Sequence, residues 1–188
     1  MEDFEVKTGN PKSRFEAKLL RPAKPDGDAC WAFVILPGAA SDTLPRRGRT
    51  SIDGTINGAP FRAMLEPDGN LGHWLRIDAA MMAAAGAEFG DVAVFEVAPV
   101  DEEPEPEVPD DLRDALAASH EARVVWEDTT TLARVDWIHW IVSAKQAATR
   151  RKRVDEACDK LASGQRRVCC FDPSGHYSKA FKPPKAAG

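Results

Sequence analysis

The sequence predicts an α+β protein: a compact β-barrel of about six short strands and one small helix, followed by a bundle of about four short helices. Three observations predict it. The first hundred residues alternate apolar and polar side chains in short runs cut by turn residues, the period of half-buried strands. Residues 100–109 hold three prolines and five acids, a composition that cannot bury a core and favours an extended linker. Beyond them the apolar spacing becomes helical, densest in Trp137-Ile-His-Trp-Ile-Val-Ser-Ala-Lys145, which runs on into Thr149, Arg150 and Arg153. The expected organisation is therefore a barrel over 1–99, a linker over 100–109, a helical module over 110–165 and a tail over 166–188.

Each element has a local cause. In residues 13–20, Phe15, Ala17 and Leu19 share one side and Arg14, Glu16 and Lys18 the other, which predicts a half-buried strand. Residues 30–36 are apolar on both faces and stop at Pro37-Gly38, as expected of a central strand covered on both sides. Residues 49–57 alternate again, with Ile52, Gly54 and Ile56 on one face. Asn57-Gly58 then signals a type I′ hairpin, because both residues tolerate positive φ. The return strand over 60–66 puts Phe61, Ala63 and Leu65 inward. Pro67-Asp68-Gly69-Asn70 is turn chemistry, and 73–77 is another short strand. Asp78 can cap a short helix that Gly86 ends, and 92–98 is the last strand. Short strands spaced by turns, with one helix among them, favour a barrel over a parallel α/β sheet.

In the second half, Pro109-Asp110-Asp111 starts a helix with acids at the positive end of its dipole and Leu112, Ala115 and Leu116 as its apolar stripe. A second short helix covers 120–126. Residues 129–131 cap a third, expected to pack through Leu132, Val135, Ile138 and Val142, with Trp137 and Ile141 flanking. In the fourth, Val154, Ala157, Cys158 and Leu161 fall at i, i+3, i+4 and i+7, and Gly164 ends it. From Cys169 onward three prolines and no periodicity predict a mostly disordered tail.

Net charge is −5, which points toward neither a nucleic-acid binder nor a membrane-surface protein. The sum conceals an asymmetry: residues 101–111 carry seven acids and no base, and residues 145–167 carry eight bases and three acids. The first residues lack the basic-then-apolar run of a secretory signal, and the longest apolar stretch is too short for a membrane span, so a cytoplasmic location is expected. Its four cysteines are then expected reduced, with Cys30 and Cys158 as core thiols. Cys169-Cys170 with His176 has no zinc spacing, so neither metal nor cofactor is expected.

Two groups of side chains are candidate anion- or partner-binding sites. Arg47 and Arg49, with Arg46 beside them and Arg62 across the hairpin, could grip an anion through bidentate, charge-assisted bonds. Charged strand edges that only keep a sheet soluble have the same composition. Lys145, Thr149, Arg150 and Arg153 are spaced i, i+4, i+5 and i+8, so a continuous helix would bring them to one surface. Arg150 could equally lie across Trp137 or Trp140, or pair with the acidic linker. His139, between two tryptophans, reads as a hydrogen-bonded packing residue. His73 and His120 carry no signal, no nucleophile stands in an activating motif, and no glycine run forms a phosphate loop.

The chain resembles two known modules. Phe15-Glu-Ala, Trp31-Ala-Phe-Val-Ile-Leu-Pro37, Arg47-Gly-Arg49, the run from Gly54 to Arg62 and Gly90-Asp91-Val92 resemble a small bacterial β-barrel domain of unknown function. Pro109-Asp-Asp-Leu112, Ala115-Leu116, Trp140-Ile141, Ala144-Lys145, Thr149-Arg150, Arg153-Val154 and Leu161-Ala-Ser-Gly164 resemble the YdeI/OmpD-associated, or bacteriocin-protection, family. The start of the third helix, Leu132-Ala-Arg-Val-Asp136, departs from the family's basic-acidic pattern. Ala147 stands where the family often has proline, which weakens the case for a sharp break between the last two helices. The resemblance implies a split or pseudo-symmetric barrel followed by a helical bundle, and a link to envelope stress or peptide toxins. The functional expectation is a non-enzymatic binding or adaptor protein for an anionic ligand or a protein. Nucleic-acid binding by the barrel is the alternative, and an enzyme with a site between the modules comes last.

Overall fold

The computed structural model describes residues 11–24, 30–168 and 181–188. The chain forms two compact units: one takes the chain up to Glu102 together with its C-terminal residues, and the other begins at Glu103. The division falls inside the acidic, proline-rich stretch.

The first unit runs β1 (Ser13–Lys18), β2 (Trp31–Ile35), α1 (Gly38–Asp42), β3 (Thr50–Ile56), β4 (Ala59–Pro67), β5 (His73–Asp78), α2 (Ala79–Ala85) and β6 (Val92–Pro99). The strands form one antiparallel sheet in the order β1-β6-β3-β4-β5-β2. It curls on itself, because Leu20, just past β1, and Phe33 in β2 exchange both backbone bonds at 2.9 Å. Ile52, Ile56, Leu65, Leu75, Ile77 and Phe95 fill the concave side, each at most 1% exposed. The Phe15 ring stacks on its cross-strand partner Phe95 at 5.3 Å.

Turn chemistry sets the register. Asn57 and Gly58 take φ of 49° and 85°, the type I′ geometry, so Ile56 faces Ala59 across the hairpin. The Asn57 carboxamide also ties the turn down: its Oδ1 accepts the Val94 N–H at 2.9 Å. Asp78 caps α2 by accepting the Met81 N–H at 2.8 Å, and Gly86 closes it in the left-handed region.

Three expectations need correction in this unit. β2 is not central but last in the sheet order, with the Leu20 bridge on its outer edge. Its convex face is nonetheless covered, since the Arg76 guanidinium lies 4.1 Å above the Trp31 ring and Trp74 meets Phe33 edge-on. Burial on two faces therefore did not require two full strand neighbours. Helix α1 was not foreseen, because Pro37 reads as a terminator yet stands at its N-cap, where a missing N–H costs no helical hydrogen bond. Cys30 is exposed rather than in the core, since the strand begins one residue later.

The second unit contains α3 (Asp110–Ala118), α4 (His120–Glu127), α5 (Thr131–Val142) and α6 (Ala147–Ala162). Its core joins Leu112 and Leu116, Trp126, Trp137, Trp140 and Ile141, and Val154, Ala157 and Leu161. Cys158 packs half-buried at its margin, where burial pushes the thiol pKa up. Thr130 caps α5 through the Ala133 N–H.

The face of α5 differs in part from the one expected. Val135 is buried as expected, but Ala133, Trp137, Trp140 and Ile141 are buried with it, Leu132 and Ile138 are half-buried, and Val142 is 42% exposed. Apolar residues stand on nearly every side of this helix, so periodicity alone could not choose. The tryptophans decide, because the largest side chains bury the most area. Residues 103–109 form neither helix nor strand, yet part of this stretch is held: Glu105 accepts from the Thr131 hydroxyl at 3.1 Å and from Arg134, and Val108 packs on the helical core. The tail is expected to be mostly disordered, but its residues 181–188 bond to the sheet unit, with Ala23 donating to Lys185 and Ala187 to Arg21. Cys169, Cys170 and His176 lie outside the described residues.

Candidate functional site

The barrel arginines do not converge on one anion. Arg62 on β4 faces Asp53 on β3 and donates two bonds to its carboxylate, at 2.7 and 2.8 Å. That guanidinium holds the Asp53 carboxyl below the usual carboxylate range. Arg49 sits just before β3, 3% exposed, with Nε 2.8 Å from the Glu66 carboxylate and its guanidinium 5.3 Å from the Phe181 ring. Arg47 spans the loop after α1, pairing with Asp42 at 2.8 Å and donating to the Leu71 carbonyl at 2.8 Å. Each guanidinium already has an oxygen partner, so these side chains hold strands and loops together.

His73 belongs to the same end of the sheet and was missed. It is fully buried, its Nε2 lies 3.1 Å from the Gly48 carbonyl, and burial pushes its pKa below the ordinary histidine value. Its position between Gly72 and an alternating strand gave only the hint that an odd-numbered inward register, shared with Leu75 and Ile77, would include it.

The helical candidates divide differently. The chain breaks after α5: Ser143 ends that helix and Gln146, in extended conformation (φ −114°, ψ 139°), begins the next. Lys145 therefore lies in the turn, and the continuous cationic face expected over Lys145, Thr149, Arg150 and Arg153 does not form. Arg153 reaches back across the break. Its Nη1 donates to the Trp140 carbonyl at 2.5 Å and to the Ser143 hydroxyl at 3.0 Å, and its guanidinium lies 5.4 Å above the Trp140 ring. It thereby satisfies a carbonyl that the end of α5 leaves without a helical partner. Arg150 grips Asp111 on α3 through two bonds, at 2.7 and 3.0 Å, and holds that carboxyl below its usual range.

What remains outward is Lys145, Thr149 and Arg151, all exposed and without an ion pair or side-chain hydrogen bond among the described residues. Lys152 joins them with a loose pair to Glu156 at 3.7 Å. These groups surround the start of α6, whose N-cap side chain makes no capping bond and whose first turn has no acid. Cations at the positive end of a helix dipole are unfavourable, by about 0.3–1 kcal/mol each at an exposed site. Lys145 in the turn and Arg151 and Lys152 in the first two turns of α6 are thus exposed cations on a backbone that Arg150 and Arg153 hold in place.

Among the described residues, no group of His, Cys, Asp and Glu could hold a metal ion, and no helix is long and apolar enough to cross a membrane.

Fold and charge together define a two-module α+β protein, a curled antiparallel β unit preceding a helical unit with four helices among its described residues, and with carboxylate-gripping arginines in both. Comparison with family profiles matches residues 15–97 to a domain of unknown function, DUF1905, and residues 105–164 to the family described as Bacteriocin-protection, YdeI or OmpD-Associated. The chain is thus similar to the YdeI/OmpD-associated family over residues 105–164 and to DUF1905 over the stretch ahead of it. Comparison with curated proteins gives no match.

Proposed function

We propose that the protein is a non-enzymatic binding or adaptor protein whose helical unit engages an acidic protein segment through the turn before α6 and that helix's first two turns. The observation that carries this reading is the split among the cations. Arg150 and Arg153 are spent on Asp111 and on the end of α5, fixing the backbone, while Lys145, Arg151 and Lys152 face solvent around a helix start that no side chain caps. The unit already handles this ligand chemistry internally, since Arg150 takes a carboxylate in fork geometry and Thr131 with Arg134 takes another from Glu105. A carboxylate-bearing segment meets the exposed surface on the same terms. The family's description supports placing this binding in protection against bacteriocins or in a stress response, and the proposed location is the cytoplasm.

Fluorescence anisotropy tests it, with a labelled glutamate-rich peptide as the probe and a labelled DNA duplex in parallel. The expected result is peptide binding that weakens with salt, is lost in Lys145→Glu/Arg151→Glu, and is not matched by the duplex. No peptide binding at low ionic strength refutes the reading, and tighter binding of the duplex transfers it to nucleic acid.

A further inference from the structure

Residues 181–188 lie against the sheet unit in a way that defines a second, chemically different binding surface. Ala23 donates to the Lys185 carbonyl at 2.7 Å and Ala187 donates to the Arg21 carbonyl at 2.8 Å, flanking an antiparallel bridge between Pro22 and Ala186. Pro22 has no N–H, so it can face a partner strand only at a position where that residue makes no ladder bond. The register seen is the one that meets this condition, because both bonds come from its neighbours. A shift of one residue would put Pro22 opposite an acceptor it cannot serve.

The other end of the segment is read by two groups on different loops. The Phe181 ring lies 5.3 Å from the Arg49 guanidinium, a cation–π contact made by an arginine that Glu66 holds in place. The Phe181 carbonyl packs on the bare Cα of Gly69, where a Cβ would come within 2.1 Å of the oxygen. Between the anchors stand Pro183 and Pro184, which restrict the chain to extended conformations and lower the entropy lost on docking. Strand edge, aromatic anchor and proline spacer together are the parts of a site that binds an extended peptide by adding a strand.

We propose that the edge at Arg21–Pro22–Ala23, with Arg49 and Gly69, is a binding site for an extended segment of the form aromatic-x-Pro-Pro, occupied in cis by this chain's own residues 181–188. The occupant is a tethered ligand. Backbone bonds supply the attraction, Phe181 and the prolines supply the selectivity, and the site accepts the same sequence from solution once the tethered copy is released.

The test uses the full chain and a fluorescein-labelled peptide of the sequence Phe-Lys-Pro-Pro-Lys-Ala-Ala-Gly. Phe181→Ala/Ala187→Pro removes the ring and the N–H donor of the tethered copy without altering the sheet. Because a tethered ligand competes at an effective concentration of about millimolar, the peptide is expected to bind this variant at least about tenfold more tightly than wild type. Hydrogen exchange at the Ala23 amide is expected to be slow in wild type, fast in the variant and slow again with saturating peptide. Adding Gly69→Asn to the variant, a residue that tolerates positive φ but brings a Cβ, is expected to abolish peptide binding. Equal peptide affinity for wild type and variant, or no binding to either, overturns the proposal. So does an Ala23 amide that exchanges equally fast in both.

Discussion

Thr149→Glu separates the stability of the helical unit from its proposed binding. Thr149 is the third residue of α6, exposed, with no acid in its turn and no side-chain cap ahead of it. A carboxylate there meets the positive end of the dipole, worth about 0.3–1 kcal/mol, and glutamate has a slightly better helix propensity than threonine, worth a few tenths more. The expected gain of about 0.5–1.5 kcal/mol corresponds to about 2–10 °C in Tm for a unit of this size. The same carboxylate fills the place reserved for the partner's, so peptide affinity falls while stability rises. Thermal melts followed by helical circular dichroism at low and high salt measure the first effect, and anisotropy the second. High salt is expected to shrink the gain, and Thr149→Gln, which carries the propensity without the charge, is expected to show only the smaller part of it. An unchanged or lower Tm refutes the dipole argument, and unchanged peptide affinity refutes the placement of the site.

Other consequences follow from the same geometry. Asp111 has its pKa lowered by Arg150, so the pair stabilises fully above the unfolded carboxyl value of about 3.9 and is lost as pH falls through the lower folded one. Arg150→Ala is therefore expected to unfold at a higher pH in acid titrations followed by circular dichroism, and superimposed curves would contradict the pairing. His73 has its pKa lowered by burial, so its unfolded form takes up a proton first and stability falls as pH drops below about 6.5. Denaturant titrations are expected to show that loss in wild type and a flat response over the same range in His73→Gln. Trp137→Ala is expected to cost about 3–5 kcal/mol, and Val142→Ala no more than about 0.5 kcal/mol, because only the first is buried. Comparable losses by chemical denaturation would restore the originally expected face of α5.

Much of the sheet was legible because its turns carry their own instructions. Asn57-Gly58 fixes a two-residue loop, and counting outward from it puts Asp53 opposite Arg62 and Arg49 beside Glu66. The ion pairs that close the supposed arginine patch were thus readable from the register, although composition alone suggested free cations. The helical unit was less legible. Its α5 is apolar nearly all round, so the buried stripe was settled by tertiary packing of Trp137 and Trp140 and not by spacing. The break before α6 carries no proline, since Ala147 stands there, and it depends on Arg153, ten residues beyond Ser143, reaching back to the Trp140 carbonyl. Such a contact has no local signature. The segment at 181–188 looked featureless for a related reason, because its order comes from backbone bonds to Arg21 and Ala23, which no side-chain pattern announces.

The most direct measurement is amide chemical-shift mapping of the isotopically labelled full chain during titration with the glutamate-rich peptide. Saturable shifts concentrated at residues 145–152, with the Arg150 and Arg153 side-chain signals keeping their bonded positions, are the predicted result. Shifts confined to the sheet unit, or none at saturating peptide, would contradict the assignment of binding to the start of α6.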